Sequence, residues 1–495
     1  MIPLSLAKIA EITRGTLSGA PREVVVTGPV LVDSRAAEPG ALFVAVRGER
    51  VDGHDYVDAA AAAGAVGALV ERPEVGSGGV IGEVGSGRVK SSVPVIVVDD
   101  VVAALGRLAR GVVDRLPDIT TVGVTGSSGK TSTKDLLAQL TARLGPTVAP
   151  VGSFNNEIGH PLTVLRADAG TRYLVLETSA RGVGHIAYLT RIAPPRIGVV
   201  LNVGSAHIGE FGSRDMVARA KGELVEALTA RGTAVLNADD PLVRTMAART
   251  AAKIVTFGRA PDATVRATDE RLDEQGRPRF SLVTPEGTMP VALRLHGAHS
   301  VSNALAAAAT VRELGMPLPE IADALSAATA VSRWRMEVTE RADGVTVVND
   351  AYNANPESMR AALDALHHMA RGRRAYAVLG GMAELGAVAK EEHEKIGRYA
   401  AQNGVSGLVV IGDAAAPVLA GAKQVASWSG ECVQVADAAA AVAALGDRLR
   451  SRDVVLIKGS RVAGLERVAQ ALLDGESGGE SGGAPERGHD GGAGA

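Results

Sequence analysis

The chain has 495 residues, 46% hydrophobic and 22% charged, and its 52 Lys+Arg against 55 Asp+Glu leave a net charge of −3. That length exceeds one ordinary hydrophobic core, and the composition excludes a mainly disordered chain. A near-neutral charge with only 3% aromatics argues against a nucleic-acid binder, which needs a basic field and stacking rings.

At the N-terminus, Met1–Gly15 carries Lys8 and Glu11 inside its apolar stretch and lacks the pattern of a signal peptide. Later apolar runs, such as Ala59–Val70 and Ser300–Val311, are Ala-rich and stop short of the ~18 residues that span a bilayer. The expectation is a cytoplasmic protein with no stable membrane insertion. Gly76–Val89 is Gly/Ser-rich and reads as a flexible surface loop. Pro117 within Leu116–Ile119 marks a linker into a second domain.

Short apolar runs then alternate with helical patterns. The predicted strands are Val95–Val98, Thr121–Val124, Tyr173–Leu176, Ile197–Leu201, Thr233–Leu236, Ala375–Leu379, Leu408–Ile411 and Val454–Ile457. Helices are predicted at Thr131–Leu144, Met216–Ala230 and Pro356–Met369. Val/Ile/Leu-rich strands separated by helices read as α/β, with parallel sheets and crossover helices. Arg259–Pro290, with alternating stretches such as Arg279–Val283, reads as an antiparallel edge. A further boundary is expected near Arg335–Thr339. His367 and His368 are adjacent and share no helix face, so they read as helix-end residues rather than metal ligands. Glu391–Glu394, with His393 and Lys395, reads as a solvated helix start. Cys432 is the single cysteine, so no intrachain disulfide can form, and it reads as a small buried apolar residue. From Gly475 onward the Gly, Ser, Glu and Ala run has no apolar period and reads as a disordered tail.

The sharpest feature is Thr121-Val-Gly-Val-Thr-Gly-Ser-Ser-Gly-Lys-Thr-Ser-Thr133. A buried strand enters a glycine-rich turn, then Lys-Thr, then a helix. Gly126 and Gly129 let backbone N–H groups face an anion, and the helix N-terminus adds its positive end. Lys130 can reach the β/γ-phosphates, and Thr131 can offer a hydroxyl to Mg²⁺. The strict phosphate-loop pattern is not met, because Val124 stands where its first glycine would be. The loop points to a nucleoside triphosphate with Mg²⁺ and by itself leaves ATPase, kinase, GTPase and ligase open, although the Asn-Lys-x-Asp guanine-reading motif usual in a GTPase is absent.

This TGxxGKT loop resembles that of the Mur ligases and their folylpolyglutamate synthetase relatives. The resemblance continues through Gly152-Ser-Phe-Asn-Asn-Glu-Ile-Gly-His-Pro-Leu-Thr163, Leu176-Glu-Thr-Ser179, Asn202-Val-Gly-Ser-Ala-His207, Ala220-Lys-Gly-Glu223 and Gly297-Ala-His-Ser-Val-Ser-Asn303, in family order over about residues 20–470. Ser300 departs from the family's usual Asn, and Thr178-Ser-Ala-Arg-Gly182 from its commoner Gly-Ala form. Asn349-Asp-Ala-Tyr-Asn-Ala-Asn-Pro-Glu-Ser-Met359 and Leu379-Gly-Gly-Met-Ala-Glu-Leu-Gly386 are similar to the D-alanyl-D-alanine-adding branch. The sibling branch that adds the third residue carries Asp-Asn-Pro-Arg, which is absent here. A non-ligase P-loop protein stays as the rival of another class, though it leaves Val32-Asp-Ser-Arg35 and Asp52-Gly-His-Asp55, shared with the family's UDP-binding domain, unexplained.

The resemblance implies three domains: a UDP-substrate domain at 1–115, a central ATP-binding P-loop domain at 116–336 and a Rossmann-like domain at 337–474, before the tail at 475–495. It implies ATP-driven addition of D-Ala-D-Ala to UDP-MurNAc-tripeptide through an acyl phosphate, by a monomer. Gly126, Ser127, Ser128, Gly129, Lys130, Thr131, Ser132, Asn303, Arg335, Asp350 and Tyr352 would serve ATP. Ser34, Arg35, Asn155, Asn156, Lys458 and Arg461 would meet the substrates. Thr131, Glu177, His207 and a carbamylated Lys221 would hold Mg²⁺, with Lys130, Lys221 and His207 catalytic. From the residues alone, Glu177 reads equally as a strand-end surface carboxylate, and Lys221, between Arg219 and Glu223, as a solvated helix face.

Overall fold

The computed structural model describes residues 1–19, 23–48, 50–72, 80–84, 87–205, 208–446 and 448–475. The chain divides into two compact units. The first comprises Met1–Arg333 with the short segment Glu384–Ala389, and the second comprises Trp334–Ala383 and the chain from Lys390 onward.

Among the described residues the first unit holds two large sheets and two two-stranded ones. In the N-terminal large one, Leu42–Val44 lies between Val30–Leu31 and Gly67–Val70, all parallel, and Val95–Val97 continues the sheet before the antiparallel Thr16–Ser18. The Gly76–Val89 stretch is not simply a loop. Val80–Val84 and Gly87–Lys90 pair as an antiparallel hairpin, because β-branched valines recur among the glycines; residues 73–79, 85 and 86 lie outside the described residues.

The second large sheet has nine strands, in the spatial order Thr147–Val148, Tyr173–Glu177, Thr120–Thr125, Ile197–Val200, Thr233–Asn237, Lys253–Gly258, Val265–Leu272, Pro278–Thr284 and Gly287–Ala292. The first seven pair in parallel, and the last three form the antiparallel edge expected from Arg259–Pro290. The strands Tyr173–Glu177, Ile197–Val200 and Thr233–Asn237 are buried throughout, as double-faced strands must be. Helix His299–Glu313 packs with helix Lys130–Leu144 in this core, presenting Ala304 and Ala306–Ala309, all 1% exposed or less. Helix Arg214–Glu226 begins two residues before the predicted start because Ser213 caps it, accepting from Met216 N at 3.3 Å.

The second unit is built on six strands in the order Glu337–Glu340, Thr346–Asn349, Val454–Lys458, Ala375–Leu379, Gly407–Ile411 and Glu431–Val435. All neighbours but the first pair are parallel. Glu431–Val435 is an edge strand, so Cys432 is half-buried rather than buried. His393 also departs from expectation. It is 1% exposed and its Nε2 accepts from Met382 N at 2.9 Å, while Lys395 carries the surface charge, paired to Glu391 and Glu392 at 2.8 Å. His367, on helix Pro356–Ala370, lies 2.7 Å from Asn403 O through Nδ1, at the helix end as expected.

Helices Ala389–Gln402 and Pro417–Lys423 meet through glycine. A Cβ on Gly397 would lie 1.8 Å from Val418 O, and one on Gly421 1.9 Å from Glu394 O. Both obstacles are backbone and cannot swing aside. Gly397→Ala should therefore destabilise the protein by about 1–3 kcal/mol despite its better helix propensity, read as an earlier transition in urea unfolding. An unchanged midpoint would mean the helices can separate freely.

Candidate active site

In the nine-stranded sheet, Thr120–Thr125 is an interior strand, and Tyr173–Glu177 and Ile197–Val200 pair on opposite sides of it. A crevice opens at such a switch point, beyond the strands' carboxyl ends. Four predicted segments converge there: the glycine-rich turn after Thr125, Glu177 closing its strand, Asn202 just past Ile197–Val200, and the 151–157 loop.

The turn is held by close approach. Gly129 has φ +80°, and a Cβ there would lie 2.5 Å from Asn303 Oδ1. A Cβ on Gly126 would lie 2.8 Å from Leu201 Cβ. Asn303 Oδ1 also accepts from Thr133 Oγ1 at 3.3 Å, so this predicted ATP residue sits directly behind the loop. Helix Lys130–Leu144, with Ser132 in its first turn, starts with no side-chain cap, an arrangement suited to an anion. Lys130 Nζ donates to Gly126 O at 2.9 Å and so lies back over the loop.

Sequence reasoning did not single out Asn202. Its Oδ1 accepts from Ser127 N and Ser128 N, each at 2.9 Å, and its Nδ2 donates to Ser128 O at 3.2 Å. Ser127 Oγ in turn accepts from Gly204 N at 2.8 Å. The asparagine preceding the histidine segment was the available signal. Ser153 was also missed; its hydroxyl lies 2.9 Å from Thr131 Oγ1.

Glu177 is 1% exposed, so the surface-carboxylate reading fails. Its Oε2 accepts from Thr131 Oγ1 at 2.9 Å and its Oε1 from Asn155 Nδ2 at 2.6 Å. No ion pair to Glu177 occurs among the described residues. A buried carboxylate served by neutral donors is costly, and a hydroxyl–carboxylate pair is an oxygen set suited to a hard divalent cation. The fit with Mg²⁺ therefore rests on Thr131 and Glu177. His207 lies outside the described residues, and among those residues no group of three His, Cys, Asp or Glu gathers. Asn156 opens helix Gly159–Val164, accepting from Gly159 N at 2.8 Å, and His160 behind it is lowered to about 4 by burial.

Lys221 is 4% exposed on helix Arg214–Glu226, so the solvated-face reading also fails. Val217, Ala220 and Leu224 share its buried helix. Burial first, and the Lys130 cation second, hold its amine well below the ordinary lysine range. Glu223 is occupied elsewhere, accepting from Gly184 N at 2.6 Å and Ala187 N at 2.9 Å at the start of helix His185–Ile192.

In the N-terminal sheet region, Ser34 and Arg35 form a short turn, and the Arg35 guanidinium is paired with Asp33 at 2.7 Å. The remaining predicted residues belong to the second unit. Asp350 follows Thr346–Asn349, and its Oδ2 accepts from Lys458 Nζ at 2.6 Å while its Oδ1 accepts from Met336 N at 3.2 Å. Lys458 is 2% exposed and also donates to Asn353 O at 2.9 Å. Arg335 lies 4.1 Å from the Tyr352 ring centroid, and Arg461 lies 4.4 Å from that of Trp334. Trp334 and Met336 both have positive φ, +60° and +51°.

A glycine-rich turn at the switch point of a parallel sheet, running into a helix through Lys-Thr, defines a P-loop α/β protein. The chain belongs to the Mur ligase family: residues 29–112 match its catalytic domain, 124–311 its middle domain and 334–461 its glutamate ligase domain. It is 49% identical to the UDP-N-acetylmuramoyl-tripeptide–D-alanyl-D-alanine ligase of Mycobacterium bovis, over 96% of this chain and 98% of that protein. The crystal structure of MurF from Acinetobacter baumannii is similar with a TM-score of 0.83 and 31% identity, covering 95% of this chain and 99% of the other. MurF from Thermotoga maritima, solved in complex with ADP, is similar with a TM-score of 0.76 and 31% identity, covering 91% and 98%. Among the described residues no helix is long and apolar enough to cross a membrane.

Proposed function

We propose that this chain is an ATP-dependent ligase that joins D-Ala-D-Ala to the terminal carboxylate of UDP-MurNAc-tripeptide, releasing ADP and phosphate in peptidoglycan precursor synthesis. The observation that carries it is the 49% identity, across nearly the whole chain, to a ligase named for that reaction. An ADP complex of a similar MurF supports ATP as the nucleotide. The reading includes three domains, at 1–115, 116–336 and 337–474, and a monomer acting in the cytoplasm.

The chemistry follows from charge. A carboxylate is a poor electrophile, so the γ-phosphoryl group is transferred to its oxygen to give an acyl phosphate. The amine of D-Ala-D-Ala attacks the acyl carbon, a tetrahedral intermediate collapses, phosphate leaves and the amine loses its proton. Lys130 and the amides at the start of its helix offset charge on the transferring group. Thr131 and Glu177, with His207 and the carbamate of Lys221, would hold Mg²⁺, which lowers the repulsion between triphosphate and carboxylate. Arg335, Asp350 and Tyr352 would serve the nucleotide. Asn155, Asn156, Ser34, Arg35, Lys458 and Arg461 would meet the substrates.

The carbamate has a physical basis in this chain. Burial lowers the pKa of the Lys221 amine and so raises its share of the neutral form, the form that attacks CO₂ and gives up a proton as the carbamate forms. Isotope-labelled bicarbonate should give a carbamate carbon signal that Lys221→Met abolishes. Absence of that signal in active enzyme would remove Lys221 from the metal site.

The test of function is mass spectrometry of products from ATP, Mg²⁺, D-Ala-D-Ala and UDP-MurNAc-tripeptide, beside a tube holding the UDP-MurNAc-dipeptide and a diamino acid. A pentapeptide product with ADP establishes the activity. Extension of the dipeptide by one residue instead would assign the sibling reaction.

A further inference from the structure

We propose that Asn202 is a positioning residue for the nucleotide, fixing the phosphate loop by engaging two of its amides and leaving the triphosphate to Lys130 and the amides that open helix Lys130–Leu144. This rests on the reading of that loop as the ATP site.

The loop departs from the strict pattern and has only two residues, Ser127 and Ser128, between its glycines. So short a turn closes few hydrogen bonds within itself and must be shaped from outside. The neighbouring strand supplies the shape. Val124 and Thr125 stand in register with Val199 and Val200, and Leu201 N donates to Thr125 O at 2.9 Å, so the chain leaves the sheet with Asn202 against the loop. Ser127 N donates to Asn202 O at 3.1 Å as well as to its Oδ1 at 2.9 Å, and Ser128 N donates to the same Oδ1 at 2.9 Å. The Nδ2 returns a bond to Ser128 O at 3.2 Å. A planar head with one acceptor and one donor is required for that set. An aspartate would set an anion against Ser128 O and beside the phosphates, and an apolar residue would serve none of the three groups. Behind it, Asn237 Nδ2 donates to Leu201 O at 2.7 Å and steadies the strand end. Gly204 N to Ser127 Oγ, at 2.8 Å, is a second tie between the same two segments.

The two serine amides are thereby engaged by protein. The site's shape is set before the nucleotide arrives, which spares the nucleotide the entropy of ordering the loop.

The experiment measures ADP affinity by calorimetry, and KM for ATP and for each other substrate, in Asn202→Ala and in Ser127→Ala. Asn202→Ala is expected to weaken ADP binding and raise KM for ATP about tenfold or more, with KM for the UDP-peptide and D-Ala-D-Ala unchanged. Ser127→Ala should move the same two quantities in the same direction by less, and the double variant should fall short of the sum. If Asn202→Ala lowers the thermal midpoint but leaves ADP affinity intact, the residue is merely structural and the proposal falls. It falls equally if ADP binds more tightly, because Asn202 would then compete with phosphate for the amides. No ADP binding by the unsubstituted protein would sink the reading of the site itself, and the proposal with it.

Discussion

Lys130→Ala should reduce pentapeptide formation by about 10³-fold, with the protein still folded. The loss is expected mainly in kcat, because charge on the transferring phosphoryl group is spread most widely in the transition state, and a donor placed there acts most strongly then. The fold should tolerate the change. Lys130 begins its helix, and the bond from its Nζ to Gly126 O, at 2.9 Å, is one contact of a half-buried side chain. Such a bond contributes about 1 kcal/mol. Lys130→Met separates charge from bulk and should be nearly as inactive. One consequence reaches Lys221. The Lys130 cation is the second cause of that amine's lowered pKa, so removing it should let the Lys221 pKa rise. Steady-state turnover together with the labelled-bicarbonate signal checks both halves. Activity within tenfold of the unsubstituted protein would show that Lys130 does not meet the transferring group.

Glu177→Gln should give the second large effect, a fall of about 10²-fold or more in kcat/KM for ATP, corresponding to a few kcal/mol. The substitution is nearly isosteric. A glutamine amide can still accept from Asn155 Nδ2, and the Thr131 hydroxyl can turn to accept in place of donating. Only the charge is removed. Because that charge is buried among neutral donors, the variant should be at least as stable as its parent when no metal is added. It should also lose the extra stabilisation that Mg²⁺ with ADP gives the parent, since a ligand stabilises only in proportion to its affinity for the folded state. Thermal midpoints with and without Mg²⁺ and ADP read this directly. Retention of the Mg²⁺-dependent increment would exclude Glu177 from the metal site.

Much of the fold was legible because parallel strands carry their own signature. Buried runs such as Tyr173–Glu177 and Val454–Lys458 differ from the predicted spans by one residue. The loop at Gly126–Thr131 was legible for the same reason, since glycine, lysine and threonine at that spacing each answer a separate physical demand. What one sequence hides is burial of charge. Lys221 and Glu177 look like surface residues by type, and only tertiary packing decides that both are enclosed. Asn202 stayed hidden because its work is done across 74 residues of chain, on amides that any sequence would offer. His393 was misjudged because its charged neighbours disguised an inward-facing position on the helix.

The Trp334–Met336 segment bears on how this protein could be recombined. Left-handed backbone is ordinarily written into a chain as glycine or asparagine, yet here tryptophan and methionine adopt it around Arg335. Their shape is recorded elsewhere. Asp350 accepts from Met336 N, Tyr352 N donates to Trp334 O at 3.2 Å, and Arg461 covers the indole ring. The segment is therefore not portable. A chimaera joined between Arg333 and Trp334 inherits the segment together with its instructions. One joined a few residues later would carry Arg335 into a chain that has no means of presenting it.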